Sequence, residues 1–503
     1  MQITFLGQAG LFIETKHGTI LCDPWFNPAY FASWFPFPSN ENVDIEKLRC
    51  PDYLYLSHSH HDHFDPEFLR DHVWKEATIL LPDFPLNILE GDSSLIVNDG
   101  ETCIFNQNDS RPIDLDILAQ FGPYDAHFLQ FSGAIWYPMV YQFPEKMMQT
   151  LGRKKRENEM ARALRYAQQI NASYVIPSAG PPCFLDDELF QFNDFDRDPT
   201  NTFPDQTVFI EYMQERGYDN GRLMIPGSIA ALRNGSCVVN HPLPDEQVKA
   251  IFTEKRSYLE AYQQRKRPVI EAARASWPRG QVDILSSLRD WFEPLLENAD
   301  LTCVGVNGRL LIDCGEQAVI VDFQKREVYP WNDEEWEYRF EVDPALIESS
   351  IIRHVEDWVN DLFLSCRFKA ERKGPYNEYV YIFFKGLSPE RIQYIEGYYA
   401  EQTPEQQFWE SNGYRIQRRC PHLKADLTRF GKIEDGVLTC TMHGWQFELA
   451  TGKCLTSDDR KLYAQHLSED GTPAAGEEQQ EWVKPPAAKC KHCWYVPSKE
   501  KKA

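Results

Sequence analysis

The sequence lacks the features of three protein classes. Nowhere do about eighteen apolar residues run together, so we expect no membrane-spanning helix. The first residues, MQITFLG, contain no charged segment leading into an apolar run, and we therefore expect no secretion signal. Positive charge is also scarce: 52 Lys and Arg against 76 Asp and Glu give a formal charge of −24. Such a surface repels nucleic acid and anionic membranes, so neither is an expected partner.

The composition that remains is that of a folded, multidomain protein. The chain has 503 residues, of which 42% are hydrophobic and 13% aromatic, enough to build more than one core. The 13 cysteines fit a reducing compartment and metal binding better than a disulfide framework, and we expect a cytoplasmic protein.

The chain divides into three segments. Residues 1–250 alternate short strands with turns and include a clear amphipathic helix at 153–169, a pattern typical of a layered α/β domain. Residues 251–405 predict an α+β accessory or substrate domain, with a helix near 351–364 and an apolar strand at 379–384. Residues 406–503 are rich in Gly, Cys, His and β-forming residues and end in a Lys-rich tail.

Two Cys-His pairs near the C-terminus carry the sharpest chemical signal. Cys420-Pro421-His422 is followed, after seventeen residues, by Cys440 and His443. A Rieske [2Fe–2S] cluster needs two thiolates on one iron and two imidazoles on the other, so each loop must offer one of each. A zinc ribbon is the alternative, since Zn²⁺ also accepts Cys₂His₂. The Gly-Trp-Gln-Phe that follows His443 resembles the Rieske domains of oxygenases and favours the cluster.

Near the N-terminus, a histidine-rich segment follows an apolar strand. His58, His60, Asp62 and His63 match His-x-His-x-Asp-His, the pattern of metallo-β-lactamase-like metal sites. Residues that alternate at a strand end project together, so we expect His58 and His60 to bind one metal and Asp62 and His63 to turn toward a second. Asp109, after a hairpin strand, is the candidate metal-bridging carboxylate.

The rest of a two-metal ligand set is not evident. Asp23 is either a carboxylate that orients a histidine or a plain turn residue before Pro24. His72 lies in a predicted helix, and His127 is better explained by packing or hydrogen bonding. Where a last histidine is expected, the chain reads Ile-Pro-Ser-Ala-Gly at 176–180. The incomplete set favours one tightly bound metal or an open iron site over an efficient dizinc hydrolase.

Together these features resemble the cytidine monophosphate N-acetylneuraminate hydroxylase family, which joins a Rieske domain to a metallo-β-lactamase-like domain. The resemblance is carried mainly by the first 250 residues and continues faintly at 358–372: Gln2-Ile3-Thr4, Asp23-Pro24-Trp25, Ser57 to Phe64, Asp109-Ser110-Arg111-Pro112, and Phe131 to Ala134 running into Tyr137-Pro138. The domain order differs, because the Rieske segment is C-terminal here. The implied fold is an N-terminal metallo-β-lactamase-like αβ/βα sandwich (1–250), an α+β middle domain (251–405) and a C-terminal all-β Rieske domain (406–503).

The resemblance implies O₂-dependent hydroxylation of an organic substrate, such as a sugar or nucleotide-sugar-like molecule. Electrons would come from a reductase, ferredoxin or cytochrome through the cluster to non-haem iron at His58, His60, Asp62, His63 and Asp109, and a homo-oligomer is plausible. The Asp-x-x-His-x-x-x-x-His motif of ordinary Rieske oxygenases does not occur, so an oxygenase would have to use this histidine cluster. A metal-dependent hydrolase with zinc at that site and the Rieske domain as redox sensor is the alternative, and pure electron transfer is a third.

Overall fold

The structure is a computed structural model that describes residues 1–82, 92–133, 136–400, 408–422, 425–442, 444–456 and 460–468. The chain forms two compact units. The first contains Met1–Trp277, Asn360–Arg367 and Thr441–Gly444, and the second contains Pro278–Val359, Phe368–Cys440 and Trp445–Ala503.

The first unit is built mainly of short strands. Its strands are β1 (Gln2–Gly7), β2 (Gly10–Thr15), β3 (Gly18–Cys22), β4 (Trp34–Phe35), β5 (Tyr53–Tyr55), β6 (Thr78–Leu80), β7 (Leu95–Asn98), β8 (Cys103–Asn108), β9 (Ala126–Gln130), β10 (Tyr174–Ser178), β11 (Cys183–Phe184), β12 (Ile229–Arg233) and β13 (Ser236–Asn240). Its α-helices are α1 (Pro66–His72), α2 (Leu115–Ala119), α3 (Glu145–Ile170), α4 (Gln206–Gln214), α5 (Asp245–Thr253) and α6 (Lys255–Ser276), and two 3₁₀ turns lie at Ile45–Leu48 and Phe190–Phe192.

These strands form a two-sheet sandwich. One sheet has the order β13-β12-β1-β2-β3-β5-β6 and the other β10-β9-β8-β7, while β11 and β4 pair separately. Alternate apolar residues of both sheets meet in one core, for example Ile3, Ile13, Ile104 and Phe128. The opposite face of the large sheet packs Leu21 and Leu54 with Phe68 of α1, so helices cover the sandwich from outside. The predicted αβ/βα architecture is confirmed.

Parallel pairing aligns the strand ends that carry the polar residues. In the large sheet β3, β5 and β6 are parallel, and in the smaller sheet β8, β9 and β10 are parallel. Parallel strands present their carboxyl ends at one edge, where ligand-binding residues collect. Asp23 follows β3, His58 to His63 follow β5, and Asp109 follows β8.

Helix α3 also contacts Met442 within the first unit. The buried guanidinium of Arg162 donates from Nη1 to the Met442 carbonyl at 2.6 Å, and the Tyr166 hydroxyl lies 3.3 Å from the Met442 sulfur. Arg162 also pairs with Glu159 on the preceding turn of the helix. The charge of Arg162 is therefore compensated although the side chain is buried.

The described residues of the second unit form three sheets. Its strands are β14 (Arg309–Asp313), β15 (Val319–Asp322), β16 (Glu327–Pro330), β17 (Tyr338–Val342), β18 (Phe368–Arg372), β19 (Phe408–Ser411), β20 (Tyr414–Gln417), β21 (Gly431–Glu434), β22 (Val437–Cys440), β23 (Trp445–Glu448) and β24 (Ala464–His466). Its helices are α7 (Ile284–Glu297), α8 (Asp300–Val306), α9 (Pro344–Ile352), α10 (Glu378–Lys385), α11 (Pro389–Ala400) and α12 (Leu427–Phe430), with a 3₁₀ turn at Gly315–Gln317. The strand orders are β16-β15-β14-β17-β18, β19-β20-β24 and β21-β22-β23.

Two predicted elements of the middle segment are wrong. The apolar run at 379–384 is helix α10 rather than a strand, because a short continuous apolar run has no period that separates a buried helix from a buried strand. Asn377 caps this helix by accepting a hydrogen bond from the Tyr379 backbone. The helix predicted at 351–364 ends early: α9 starts at Pro344 and ends at Ile352, and His354 adopts a left-handed φ of 49° that stops helix propagation.

Across the described ranges, no helix has both the length and the apolar character needed to cross a bilayer.

Candidate metal centres

Three buried donor atoms converge at the N-terminal site. His58, His63 and Asp109 place one ligand atom each within 4.8 Å of one another. Asp109 Oδ2 lies 3.8 Å from His58 Nε2 and 3.5 Å from His63 Nε2. Both Nε2 atoms and Asp109 Oδ1 are buried and have no hydrogen-bond partner among the described residues. Buried polar atoms without partners are costly, and a bound cation would satisfy all three.

A second group shares His58 with the first. His58, His60 and Asp92 also place ligand atoms within 4.8 Å, and Asp92 Oδ1 lies 3.7 Å from His58 Nδ1. Sequence reasoning missed Asp92, because it precedes β7 and belongs to no spaced motif. The structure thus groups His58 with His63 as well as with His60, whereas we had expected His58 and His60 on one metal and Asp62 and His63 on another.

Asp62 is held by donors from the β1–β2 turn and from the loop between β3 and β4. Gln8 Nε2 donates to Asp62 Oδ2 at 3.0 Å, and the Tyr30 hydroxyl donates to Oδ1 at 2.7 Å. Asp62 Oδ2 also lies 3.6 Å from His63 Nε2, so the carboxylate remains beside the group. His61, the fourth histidine of the segment, stacks on the Tyr30 ring and faces Asp361 at 3.5 Å.

Asp23 fixes the orientation of the His63 ring through the ring nitrogen Nδ1. Its Oδ2 lies 3.2 Å from His63 Nδ1, and its Oδ1 accepts the Ser57 backbone N–H at 2.8 Å. Both Asp23 and His63 are fully buried. A carboxylate on the outer nitrogen fixes the tautomer that presents Nε2 to a metal. The structure thus places the Asp23 carboxylate against the His63 ring, where a histidine-orienting carboxylate is expected to lie.

The electrostatics of the site favour a cation. Burial alone would lower the pKa of His63, but the carboxylates of Asp109, Asp62 and Asp23 raise this pKa well above its ordinary value. Burial would raise the pKa of Asp109, yet His63 and His58 hold it below the usual range. Positive charge is therefore stabilised here, whether it comes from a proton or a metal ion.

Other candidates from the sequence lie elsewhere or serve the fold. His127 Nε2 donates to the Gln107 amide oxygen at 2.8 Å, and the His127 ring stacks on Phe105, in line with the expected packing or hydrogen-bonding role. The His72 ring packs against Phe68 at the end of α1, with the two ring planes tilted by 35°.

The C-terminal site brings together two thiols and an imidazole. Cys420 and Cys440 are both buried and form no disulfide. Burial raises the pKa of the Cys420 thiol well above its ordinary value, and the adjacent Cys440 thiol raises it further. His422 follows in the first loop and stacks on Trp445, with ring centroids 4.3 Å apart. His443 lies outside the described residues.

This geometry fits an iron–sulfur ligand set. The strands β22 and β23 pair Cys440 with Trp445, so the tryptophan of the Gly-Trp-Gln-Phe sequence supports the first-loop histidine from the second loop. The Cys420 backbone N–H closes the first loop on the Ala425 carbonyl at 2.9 Å. Two buried thiols side by side become favourable as thiolates only when a metal compensates their charge.

Comparison with known families covers most of the chain. Residues 2–134 match a beta-lactamase superfamily domain, residues 284–401 an Rv3818-like, SCP2-like domain, and residues 405–465 a Rieske [2Fe-2S] domain. The Rieske 2Fe-2S iron-sulfur protein Rv3818 of Mycobacterium tuberculosis is 46% identical over 511 residues, covering 92% of this chain and 99% of the relative. The chain belongs to the Rv3818-like family.

Solved structures similar to this Rv3818-like chain are more distant. An isothiocyanate hydrolase from Delia radicum gut bacteria is 13% identical, with a TM-score of 0.32, and covers 46% of this chain and 100% of its own. CmlA, a diiron beta-hydroxylase from Streptomyces venezuelae, is 16% identical, with a TM-score of 0.27, and covers 46% of this chain and 54% of its own. Likeness at this level does not discriminate between reactions.

The family matches settle the cofactor classes of the Rv3818-like chain. It has a C-terminal Rieske domain that supports a [2Fe–2S] cluster and an N-terminal metallo-β-lactamase-like domain that supports a non-haem metal site. The predicted pairing of these two domains, with the Rieske domain last, is confirmed.

Proposed function

We propose that this protein is a Rieske-dependent monooxygenase that hydroxylates an organic substrate at non-haem iron. The observation that carries the proposal is the donor set at the N-terminal site: two imidazoles, His58 and His63, and one carboxylate, Asp109, converge with unpartnered buried atoms. Two histidines and one carboxylate with open positions are typical of non-haem Fe(II) oxygenases. A one-electron cofactor in the same chain has its most direct use beside a second metal that changes oxidation state.

We assign the iron ligands to the predicted set, with His58, His63 and Asp109 at its centre and His60 and Asp62 at its margin. Asp23 keeps His63 in the metal-binding tautomer. Tyr30 and Gln8 hold the Asp62 carboxylate, which limits its freedom to rotate toward a ligand.

We assign the cluster ligands to Cys420, His422, Cys440 and His443. The two metal groups, when bound, supply single electrons and O₂ activation. The protein contributes burial of the two thiols, support of His422 by Trp445, and a fixed first loop. The domain boundaries at 250 and 405 are part of the same proposal.

The proposed partners follow from this chemistry. Electrons come from a reductase, ferredoxin or cytochrome, and the co-substrates are O₂ and a small molecule. The resemblance to cytidine monophosphate N-acetylneuraminate hydroxylases favours a sugar or nucleotide-sugar-like substrate. Homo-oligomerisation would place further clusters within reach of each iron.

A metal-dependent hydrolase is the second candidate, favoured by the beta-lactamase superfamily match at 2–134. Metal analysis of protein purified without added metal separates the two. The monooxygenase should hold about three iron atoms per chain, two of them in the cluster, whereas the hydrolase should hold about two iron atoms and zinc. NADH oxidation with a generic reductase, stimulated by substrate, is expected only of the monooxygenase.

Two variants test the separate roles of the Rieske cluster and the N-terminal metal site. His443→Ala should abolish the visible absorption of the cluster and stop hydroxylation, while a hydrolase would keep turnover. His60→Ala should leave the absorption intact and reduce turnover in both cases. Turnover without any reductant, in protein that holds only zinc at the N-terminal site, would rule out the monooxygenase.

A further inference from the structure

A buried carboxylate from outside the Rieske match faces the imidazole of His422. Glu378 opens helix α10, inside the region that matches the SCP2-like domain, and is only 5% exposed. Its Oε2 lies 3.9 Å from His422 Nε2, within ion-pair range but longer than a hydrogen bond. Both residues belong to the second compact unit.

Glu378 is held in place by two further side chains. The Tyr399 hydroxyl of α11 donates to Glu378 Oε1 at 3.1 Å, and Arg460 pairs with the same oxygen. The Arg460 guanidinium also lies over the Tyr399 ring, 5.4 Å from its centroid. Both of these contacts are made to Oε1, and Oε2 is the oxygen that lies 3.9 Å from His422 Nε2. Burial of this carboxylate is thus compensated without using His422 as the main partner.

Helix α11 also positions His422, through a hydrogen bond to the His422 backbone. The Tyr398 hydroxyl donates to the His422 carbonyl at 2.9 Å, and the imidazole stacks on Trp445 at an interplanar angle of 13°. These contacts fix the His422 backbone and the plane of its ring independently of Glu378. A histidine that binds metal through one nitrogen carries its proton on the other, and a carboxylate facing that proton raises the basicity of the ligand.

We propose that Glu378 is a positioning residue that lowers the reduction potential of the Rieske cluster through His422. A negative charge near a ligand opposes addition of an electron, and hydrogen bonding and net charge are the main protein controls of such potentials. The middle segment is then part of the electron-transfer device and not only an accessory domain. The inference rests on the assignment of His422 as a cluster ligand, and it holds for either reaction proposed above.

The test is a redox titration of the cluster in the purified full-length protein, followed by electron paramagnetic resonance. Glu378→Gln keeps the shape of the side chain and removes its charge, and the equilibrium constant for reduction should rise about tenfold, which is about 59 mV for one electron. Glu396→Gln is the matched control. Glu396 lies on α11 and accepts the Leu301 and Thr302 backbone N–H groups, so its loss affects stability without changing the charge that Glu378 places beside His422.

Two further variants keep the outcome decisive. Glu378→Asp keeps the charge but draws it back from His422, so a smaller rise in the same constant is expected, and this variant decides the matter if Glu378→Gln does not fold. His422→Ala tests the ligand assignment separately, since it should remove the cluster absorption altogether. A potential in both Glu378 variants equal to that of wild type would overturn the role of Glu378, while an unchanged spectrum in His422→Ala would overturn the ligand assignment instead.

Discussion

Replacing Asp23 by Asn should weaken metal binding at the N-terminal site although none of the proposed metal ligands is mutated. Asp23 sits at a left-handed φ of 39°, a conformation that Asn tolerates better than most residues, so the backbone should survive the change. In the wild type both carboxylate oxygens accept hydrogen bonds: Oδ2 from His63 Nδ1 at 3.2 Å, and Oδ1 from the Ser57 backbone N–H at 2.8 Å.

The magnitude follows from this double acceptor role. Asn has one acceptor oxygen, so its NH₂ must face either the Ser57 N–H or the His63 ring N–H, and the negative charge that favours a cation is lost. Loss of such an outer carboxylate typically costs about 10–100-fold in metal affinity, or about 1.4–2.7 kcal/mol. A buried donor facing a donor costs about 1–3 kcal/mol of folding stability in addition.

Affinity can be measured by competition of Fe²⁺ or Zn²⁺ between the protein and a chromophoric chelator. The visible absorption of the cluster should not change, which controls for global damage. Asp52→Asn is the matched control, because Asp52 accepts the Thr19 backbone N–H and hydroxyl at the opposite end of β3 on an exposed surface. Equal metal affinity in Asp23→Asn, Asp52→Asn and wild type would refute the proposed role of Asp23.

Three further predictions concern stability. Burial lowers the pKa of His127 to about 3, so the unfolded chain binds a proton that the folded chain refuses. The free energy of unfolding should therefore fall by about 1.4 kcal/mol per pH unit below about pH 6.5. The urea midpoints measured at pH 7 and pH 5.5 should differ less in His127→Gln than in the wild type. An equal difference in the two proteins would contradict this prediction. Gly152→Ala should lower the melting temperature because its Cβ would overlap the Thr200 carbonyl, whereas Gly397→Ala meets nothing and should gain up to about 1 kcal/mol. Lys255→Met should lower the free energy of unfolding by about 3–5 kcal/mol, because buried Asp205, which lies 2.6 Å from Lys255, loses its cation. Adding Asp205→Asn should restore most of the lost stability. No recovery of the urea midpoint in the double variant would contradict the proposed ion pair.

Sequence alone determined the parts of this protein whose donors are neighbours in the chain. His58, His60, Asp62 and His63 leave one strand end together, and the Cys-His pairs each occupy one loop, so spacing carries the chemistry directly. Alternating apolar residues in the first segment likewise predict the layered sandwich, because a strand period of two sorts side chains onto two faces. The fold class and both cofactor classes follow from such local patterns.

Tertiary structure decided everything that depends on elements distant in the chain. Asp92 lies near His58, and Glu378 near His422, only because separate strands and helices meet there, and no spacing rule connects them. Asp23 was a candidate from the sequence, but only the packing of β3 beside β5 shows that His63 is the histidine it contacts. The same holds for the apolar run of α10, whose burial on several sides erases the period that would reveal a helix. Sequence patterns determine which side chains a segment contributes, whereas tertiary packing determines which distant side chains those residues contact.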